Sequence, residues 1–478
     1  MQLRSAGVLM PIASLNGEYS CGSFGKEAKE FINFLHESGF RYWQVLPFTM
    51  VDDCNSPYQS YSAFAGNLYY INLDILKEEG LLTEDEIAPY KQITPYAVEY
   101  DRLRRERFSV LLLASKRCKN KDEVKAFIEN DKNLKDFSLF MARKEANGGK
   151  CWSEWETDEI SEEILFAWQF IQYKFHTQWA NIKEYANKKD VKIIGDIPIY
   201  ISYDSCDLYN NKEYFKLDKE NIPSAVAGVP PDAFTEDGQL WGNPLYDWDK
   251  MKETGYEWWQ KRLEAMFNLF DGVRIDHFRG FESYYSVPYG EKTAKNGKWV
   301  KGPGMDIVEV IKKAAKDKLV IAEDLGCITK EVRALVDESG FMSMKVMQFG
   351  FIDPSDNAHL PHNYEANSVA YTGTHDNNTL LGYVWELSEN DRQFLMDYVG
   401  YKDKNWDKIY DDILAMMLRS HSDLVIFPIQ DLLCYGADTR INTPGKAEGN
   451  WSFRITKEQI NSIDKAKLKK WITLYKRG

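Results

Sequence analysis

The sequence predicts an α/β protein built on a single (β/α)8 TIM barrel, and three observations carry that expectation. Eight short runs rich in Val, Ile and aromatic residues alternate with helical patterns, the signature of parallel strands buried on both faces. Acidic residues recur at the carboxyl ends of these runs, where barrel enzymes hold their chemistry. The chain has 478 residues, 44% of them hydrophobic, enough for a large core with room for elaboration.

Taken in order, the N-terminal stretch MQLRSAGVLMPIASLNGEYS reads as a loop. It lacks a basic start followed by a long apolar core, so it is not expected to be a secretion signal. Residues 23–38 place Phe24, Ala28, Phe31, Phe34 and Leu35 at helical spacing, with Gly39 as the C-cap. The barrel runs then fall at 42–47, 68–73, 191–200, 271–280, 318–324, 344–351, 368–376 and 423–431, centred near Trp43, Tyr70, Ile194, Arg274, Ile321, Val346, Ala370 and Val425. Between the second and third lies a charged, helix-patterned stretch, expected to be an inserted helical subdomain over about 81–165. The helix at 162–187 returns the chain to the barrel. Residues 224–248 (SAVAGVPPDAFTEDGQLWGNPLYDW) are too long and too apolar for a simple connector and read as a lid, within a loop region spanning about 205–256. The tail from Ile455 to Gly478 is helical and charged, so no C-terminal β domain is expected.

Charge narrows the partners. A formal net charge of -13 and a pI near 5.3 oppose nucleic acid and anionic membrane surfaces and favour a neutral or cationic small substrate. No stretch approaches the roughly 20 apolar residues of a membrane span. Seven scattered cysteines without a CxxC pair suit a reduced, cytoplasmic setting. Aromatics at 14% suit sugars, although packing is their default role.

The stretch Asp271-Gly272-Val273-Arg274-Ile275-Asp276-His277 organises the chemistry. Alternation puts Arg274 and Asp276 on one face of a strand, and a guanidinium beside Asp276 should hold it ionised. Taken alone, this stretch fits a buried structural ion pair as well as a nucleophile. Other strands also end in acids, however: Asp196 and then Asp204, Glu323 and Asp324, and Asp376. Acids around one mouth without a metal-ligand set point to acid/base and nucleophilic work on an uncharged substrate. Glycoside chemistry fits best, because it needs one ionised and one protonated carboxyl. Glu323 shares its strand with Leu319 and Ile321, and apolar neighbours raise a carboxyl's pKa, so it is assigned as acid/base with Asp276 as nucleophile. A separation of about 5–5.5 Å between the two carboxyls would then give retention of configuration. Asp376, His375 and His277 are suited to holding sugar hydroxyls. The pair His359 and His362 lacks a third ligand and reads as loop.

These residues resemble a known group. GVRIDHFRG, VIAEDLG, YTGTHDN and GDIPIY are similar to conserved regions of the α-amylase clan. SPYQSYSAFAGN, AGVPPDAFTEDGQLWGNPLYDW and NTPGKAEGNW resemble stretches peculiar to its 4-α-glucanotransferases, the amylomaltases or disproportionating enzymes. The resemblance implies Asp276 as nucleophile, Glu323 as general acid/base and Asp376 as transition-state stabiliser. It implies a donor-sugar subsite completed by Arg274, His277, His375, Asp204 and Tyr58, with no metal and no organic cofactor. Malto-oligosaccharides are the implied substrates and glucose an acceptor. Asn378 and Phe453 depart from the family pattern. Transfer in place of hydrolysis would require an acceptor surface that excludes water, for which Trp241, Phe234 and Tyr246 of the lid are candidates. An α-glucan hydrolase of the same clan is the alternative, and a non-catalytic carbohydrate-binding protein a more distant one.

Overall fold

A computed structural model describes residues 4–231, 235–352, 357–403 and 405–478. Among the described residues, twelve strands occur in chain order: β1 Ser5–Leu9, β2 Tyr42–Gln44, β3 Lys192–Ile197, β4 Ala225–Val229, β5 Gln239–Pro244, β6 Gly272–Ile275, β7 Ser283–Pro288, β8 Lys298–Lys301, β9 Leu319–Ala322, β10 Ser343–Val346, β11 Ser368–Tyr371 and β12 Leu424–Pro428. Eight of them form one parallel sheet in the order β10-β11-β12-β1-β2-β3-β6-β9. Its two ends meet through a parallel bridge between Ile321 and Met342, which closes the sheet into the expected barrel.

Membership of the barrel differs from expectation at one place. The first strand is β1, inside the stretch read as a loop, whereas the run at 68–73 is not a strand. Leu68–Tyr70 is a 3-10 turn and Leu73–Glu78 a helix, capped by the side chains of Asn67 and Asn72, which accept from the Tyr69 and Ile75 amides. Leu68, Tyr69, Tyr70 and Ile71 are all buried, so their apolar character serves packing and not pairing. β1 is SAGVL, whose small residues Ser5, Ala6 and Gly7 give little of the Val, Ile and aromatic signal that marks the other strands. It also contains Gly7, where a Cβ would stand 2.7 Å from the Tyr42 carbonyl oxygen on β2.

Helices Tyr100–Lys116, Lys121–Glu129 and Lys132–Ala146 follow β2 and pack on the 27-residue helix Glu162–Lys188, which leads into β3. Helix Lys26–Ser38 ends as its sequence foretells: Gly39 at φ 87° directs its amide to the Leu35 and His36 carbonyls. The tail forms helices Lys457–Ser462 and Lys465–Leu474. Buried Arg477 then ties it beneath the barrel, donating to the carbonyls of Leu418, Ser420 and Ser422.

Over the mouth lies a second sheet absent from the sequence reading. It is antiparallel, four-stranded and ordered β5-β4-β7-β8. The stretch read as a lid loop thus contains β4 and β5, and the later pair β7 and β8 completes the layer. Phe234 falls outside the described residues. Tyr246 is buried and donates to the Ile199 carbonyl at 2.8 Å, so it packs in the core and does not face a ligand. Among the described residues, no helix is long and apolar enough to cross a membrane.

Candidate active site

Register decides which side chains meet at the mouth. Asp196 on β3 lies beside Arg274 on β6, and Arg274 beside Ile321 on β9. Asp276 and Glu323 therefore follow the ends of adjacent strands, with the Asp276 amide on the Ile197 carbonyl and the Glu323 amide on the Ile275 carbonyl. They open on a cleft of about 480 Å³ also lined by Tyr58, Trp241, Arg274, His277, His375 and Asp376.

Arg274 is the electrostatic hub. One terminal nitrogen donates to both oxygens of Asp196 at 2.8 and 2.9 Å, and the other meets Asp276 at 2.9 Å. The Tyr58 hydroxyl donates to Asp196 at 2.7 Å, so this buried carboxylate is held from two sides. Burial opposes the charge on Arg274, but Asp196 and Asp276 more than offset it and hold the group protonated.

Arg274 lowers the Asp276 pKa as expected, but it does not set the net direction. Burial pushes the Asp276 carboxyl up to about 6 despite Arg274, with the charges of Asp196 and Asp376 adding to the rise. Asp276 still ionises below neutrality, as a nucleophile must. Glu323 goes further: burial, opposed by Arg274 and aided by Asp276, raises it to about 8. It is thus protonated at neutral pH, as a proton donor must be. Its oxygens accept from the His277 amide at 2.6 Å and the Leu325 amide at 3.1 Å, which fix the carboxyl's orientation.

His277 occupies the left-handed region at φ 48°, an uncommon conformation for a non-glycine residue and one that occurs here beside the reacting centre. Burial lowers its pKa to about 3, so the imidazole is neutral, and its Nε2 is buried without a hydrogen-bond partner in the protein. The Trp241 ring meets it edge-to-face at 4.8 Å. The Asn442 amide donates to Asp376 at 2.6 Å, and His375 Nε2 lies 3.3 Å from the other carboxylate oxygen. Tyr58 stacks on His375 at 5.3 Å, with Trp451 packed against both rings.

Eight of the nine site residues named from the sequence line this cleft. Asp204 does not: it pairs with Lys144 at 2.5 Å and accepts from the Trp152 amide at 3.4 Å, joining the loop after β3 to the inserted helices. The strand-end acid that reaches Arg274 is Asp196. Its position at the end of an apolar run was the available signal, since Asp204 lies seven residues beyond β3. Asn442, Asn450 and Trp451 also line the cleft and were missed individually, although NTPGKAEGNW had drawn notice as a motif. Asn378 and Phe453 lie off the cleft wall. His359 accepts from the Val346 amide and His362 contacts the Tyr398 hydroxyl, both as loop packing.

A barrel with a polarised pair of carboxyls, a third acid and neutral imidazoles around one cleft defines an enzyme of glycoside chemistry. The family model described as 4-alpha-glucanotransferase matches residues 10–459, and the chain belongs to that family. A 4-alpha-glucanotransferase of Clostridium butyricum is 44% identical over 486 residues, covering 95% of this chain and 98% of that protein. One from Thermus thermophilus is 40% identical, covering 98% of this chain and 97% of its own. The amylomaltase of Streptococcus agalactiae, solved in complex with acarbose, superposes with a TM-score of 0.95 at 38% identity, covering 99% of this chain and 100% of that one. The chain is accordingly an enzyme of the 4-alpha-glucanotransferase type.

Proposed function

We infer that the enzyme moves α-1,4-glucan segments between malto-oligosaccharides with retention, through a covalent glycosyl-Asp276 intermediate, and releases glucose. The observation that carries this reading is the placement of Asp276 and Glu323 just past the ends of adjacent strands in one cleft, Asp276 against Arg274 and Glu323 on two backbone amides, with burial raising Glu323 further than Asp276. In the first half-reaction, an Asp276 oxygen attacks the anomeric carbon. Glu323 gives its proton to the glycosidic oxygen as that bond breaks, and the leaving sugar departs. In the second half-reaction, Glu323, now a carboxylate, removes the proton from an acceptor hydroxyl. That oxygen attacks the anomeric carbon and displaces Asp276. Asp376, held by Asn442, and the neutral His277 and His375 bind the donor sugar's hydroxyls, and Arg274 with Asp196 and Tyr58 fixes the nucleophile. The acarbose bound to the Streptococcus agalactiae amylomaltase supports an oligosaccharide ligand here as well.

We also read the helices over about 81–165 as an inserted subdomain and the 205–256 region as the acceptor-side cover, within one catalytic unit spanning 1–478. The cysteine pattern supports a cytoplasmic site of action. Incubation with maltotriose alone tests the activity. Free glucose with a ladder of longer glucans is expected, and both should vanish in Asp276→Asn. Glucose and maltose without longer products would place the enzyme among the hydrolases. The covalent step is checked separately by trapping with a fluorinated glycosyl fluoride and locating the added mass. A label on any residue other than Asp276 would remove the assigned nucleophile.

A further inference from the structure

We propose that Trp299 is an acceptor-side platform on which a glucosyl ring of the incoming sugar stacks, with Arg279 as its positioning residue. This rests on the transferase reading above. Among the large apolar side chains that are exposed in the described residues, Trp299 is the one that lines the active-site cleft, and 39% of it is open. It stands on β8, the outer strand of the small sheet.

Its ring is held in place. The Arg279 guanidinium lies over it at 3.6 Å from the ring centroid, and the cross-strand neighbour Tyr285 meets it at 5.0 Å and 64°. Arg279 is itself buried and anchored, donating to Ser283 Oγ at 3.0 Å and to the Cys327 carbonyl. Tyr285 is fixed through its hydroxyl on the Ala294 carbonyl at 3.1 Å. An indole held this way loses little freedom when a ligand stacks on it, and preorganisation of this kind favours binding.

The position in the fold indicates which sugar it meets. Cys327, the anchor of Arg279, follows Glu323 by four residues, and Leu325, Gly326 and Cys327 line the cleft beside Trp299. Glu323 protonates the leaving oxygen and later deprotonates the acceptor, so its side of the cleft is where leaving and incoming sugars sit. Asp376, Asn442, His375 and Trp451 are held together by a separate set of contacts that includes neither Trp299 nor Arg279. A glucosyl ring has one face of C–H bonds with hydroxyls at the rim, which matches a flat aromatic face beside a guanidinium.

The test separates acceptor from donor. Fluoride is the leaving group of maltosyl fluoride, so no sugar occupies the acceptor side in the first half-reaction, and kcat/KM for maltosyl fluoride reports formation of the glycosyl-enzyme. With maltose as the varied acceptor, Trp299→Ala should raise the acceptor KM roughly tenfold, while kcat/KM for maltosyl fluoride stays within about twofold. Trp299→Phe should recover most of the loss, which a folding defect would not allow. An acceptor KM unchanged in Trp299→Ala, or donor and acceptor parameters falling together in both variants, would overturn the proposal. Product chromatography on the unsubstituted enzyme in the same experiment tests the transferase reading itself. If longer glucans form there and Trp299→Ala is normal, the platform alone fails; if none form, both readings fall.

Discussion

Replacing Asp196 by Asn removes the anchor of the buried Arg274 guanidinium while preserving shape. Arg274 has a side chain only 4% exposed and Asp196 one that is 0% exposed, so their pairing lies outside solvent screening. Breaking a buried pair by neutralising one partner costs about 3–5 kcal/mol. Asn keeps one acceptor oxygen and Asp276 remains beside Arg274, which places the loss at the lower end, about 3 kcal/mol. The entropy of unfolding for a chain of this length is about 1 kcal/mol/K, so the thermal midpoint should fall by about 3 °C. The same change acts on catalysis. The unsubstituted enzyme should show a bell-shaped kcat/KM profile, its acid limb near pH 6 from Asp276 and its alkaline limb near pH 8 from Glu323. Because the Asp196 charge helps to raise Asp276, Asp196→Asn should move the acid limb to lower pH and leave the alkaline limb nearly in place. Thermal denaturation and pH-rate profiles on both proteins provide the measurements. An unchanged midpoint together with an unmoved acid limb would refute the role assigned to Asp196.

Asp431 offers a test of stability against pH away from the cleft. Burial raises it from 3.8 to about 7, against hydrogen bonds from the Leu380 amide and Thr372. The folded state thus binds this proton more tightly than the unfolded state. The stability it contributes is complete below about pH 4 and is lost as pH rises through about 7. Asp431→Asn should therefore gain on the unsubstituted enzyme in midpoint between pH 5 and pH 8, and a constant difference would contradict the assignment. Asp204→Asn should leave kcat/KM for maltotriose within about twofold, because the residue faces Lys144 and not the cleft. A loss comparable to that of Asp196→Asn would restore it to the sugar site. Trp241→Ala, next to His277, should lower transfer more than hydrolysis, and an unaltered product ratio would count against an acceptor role.

The sequence by itself determined the barrel and its chemistry, because both are written in local patterns. Apolar runs alternating with helices specify parallel strands, and side-chain alternation sets Arg274 and Asp276 on one face whatever the rest of the chain does. The acids at strand ends were legible for the same reason. Motifs such as NTPGKAEGNW marked stretches that matter without saying which atoms meet. What only the tertiary structure decided involves partners distant in the chain. β1 (SAGVL) carries too few β-branched or aromatic residues to announce itself and becomes a strand because β2 and β12 pair with it on either side. The run at 68–73 had strand composition, but two Asn caps and a buried setting made it helical. Asp196 lies near the end of β3 and Asp204 follows it, and the register of β3 against β6 selected the first for Arg274. Asp276 is ionised near neutrality as its neighbour Arg274 suggests, but its pKa is shifted upward, since burial and two other carboxylates outweigh one guanidinium. That balance is set by the whole cleft, which no stretch of sequence contains.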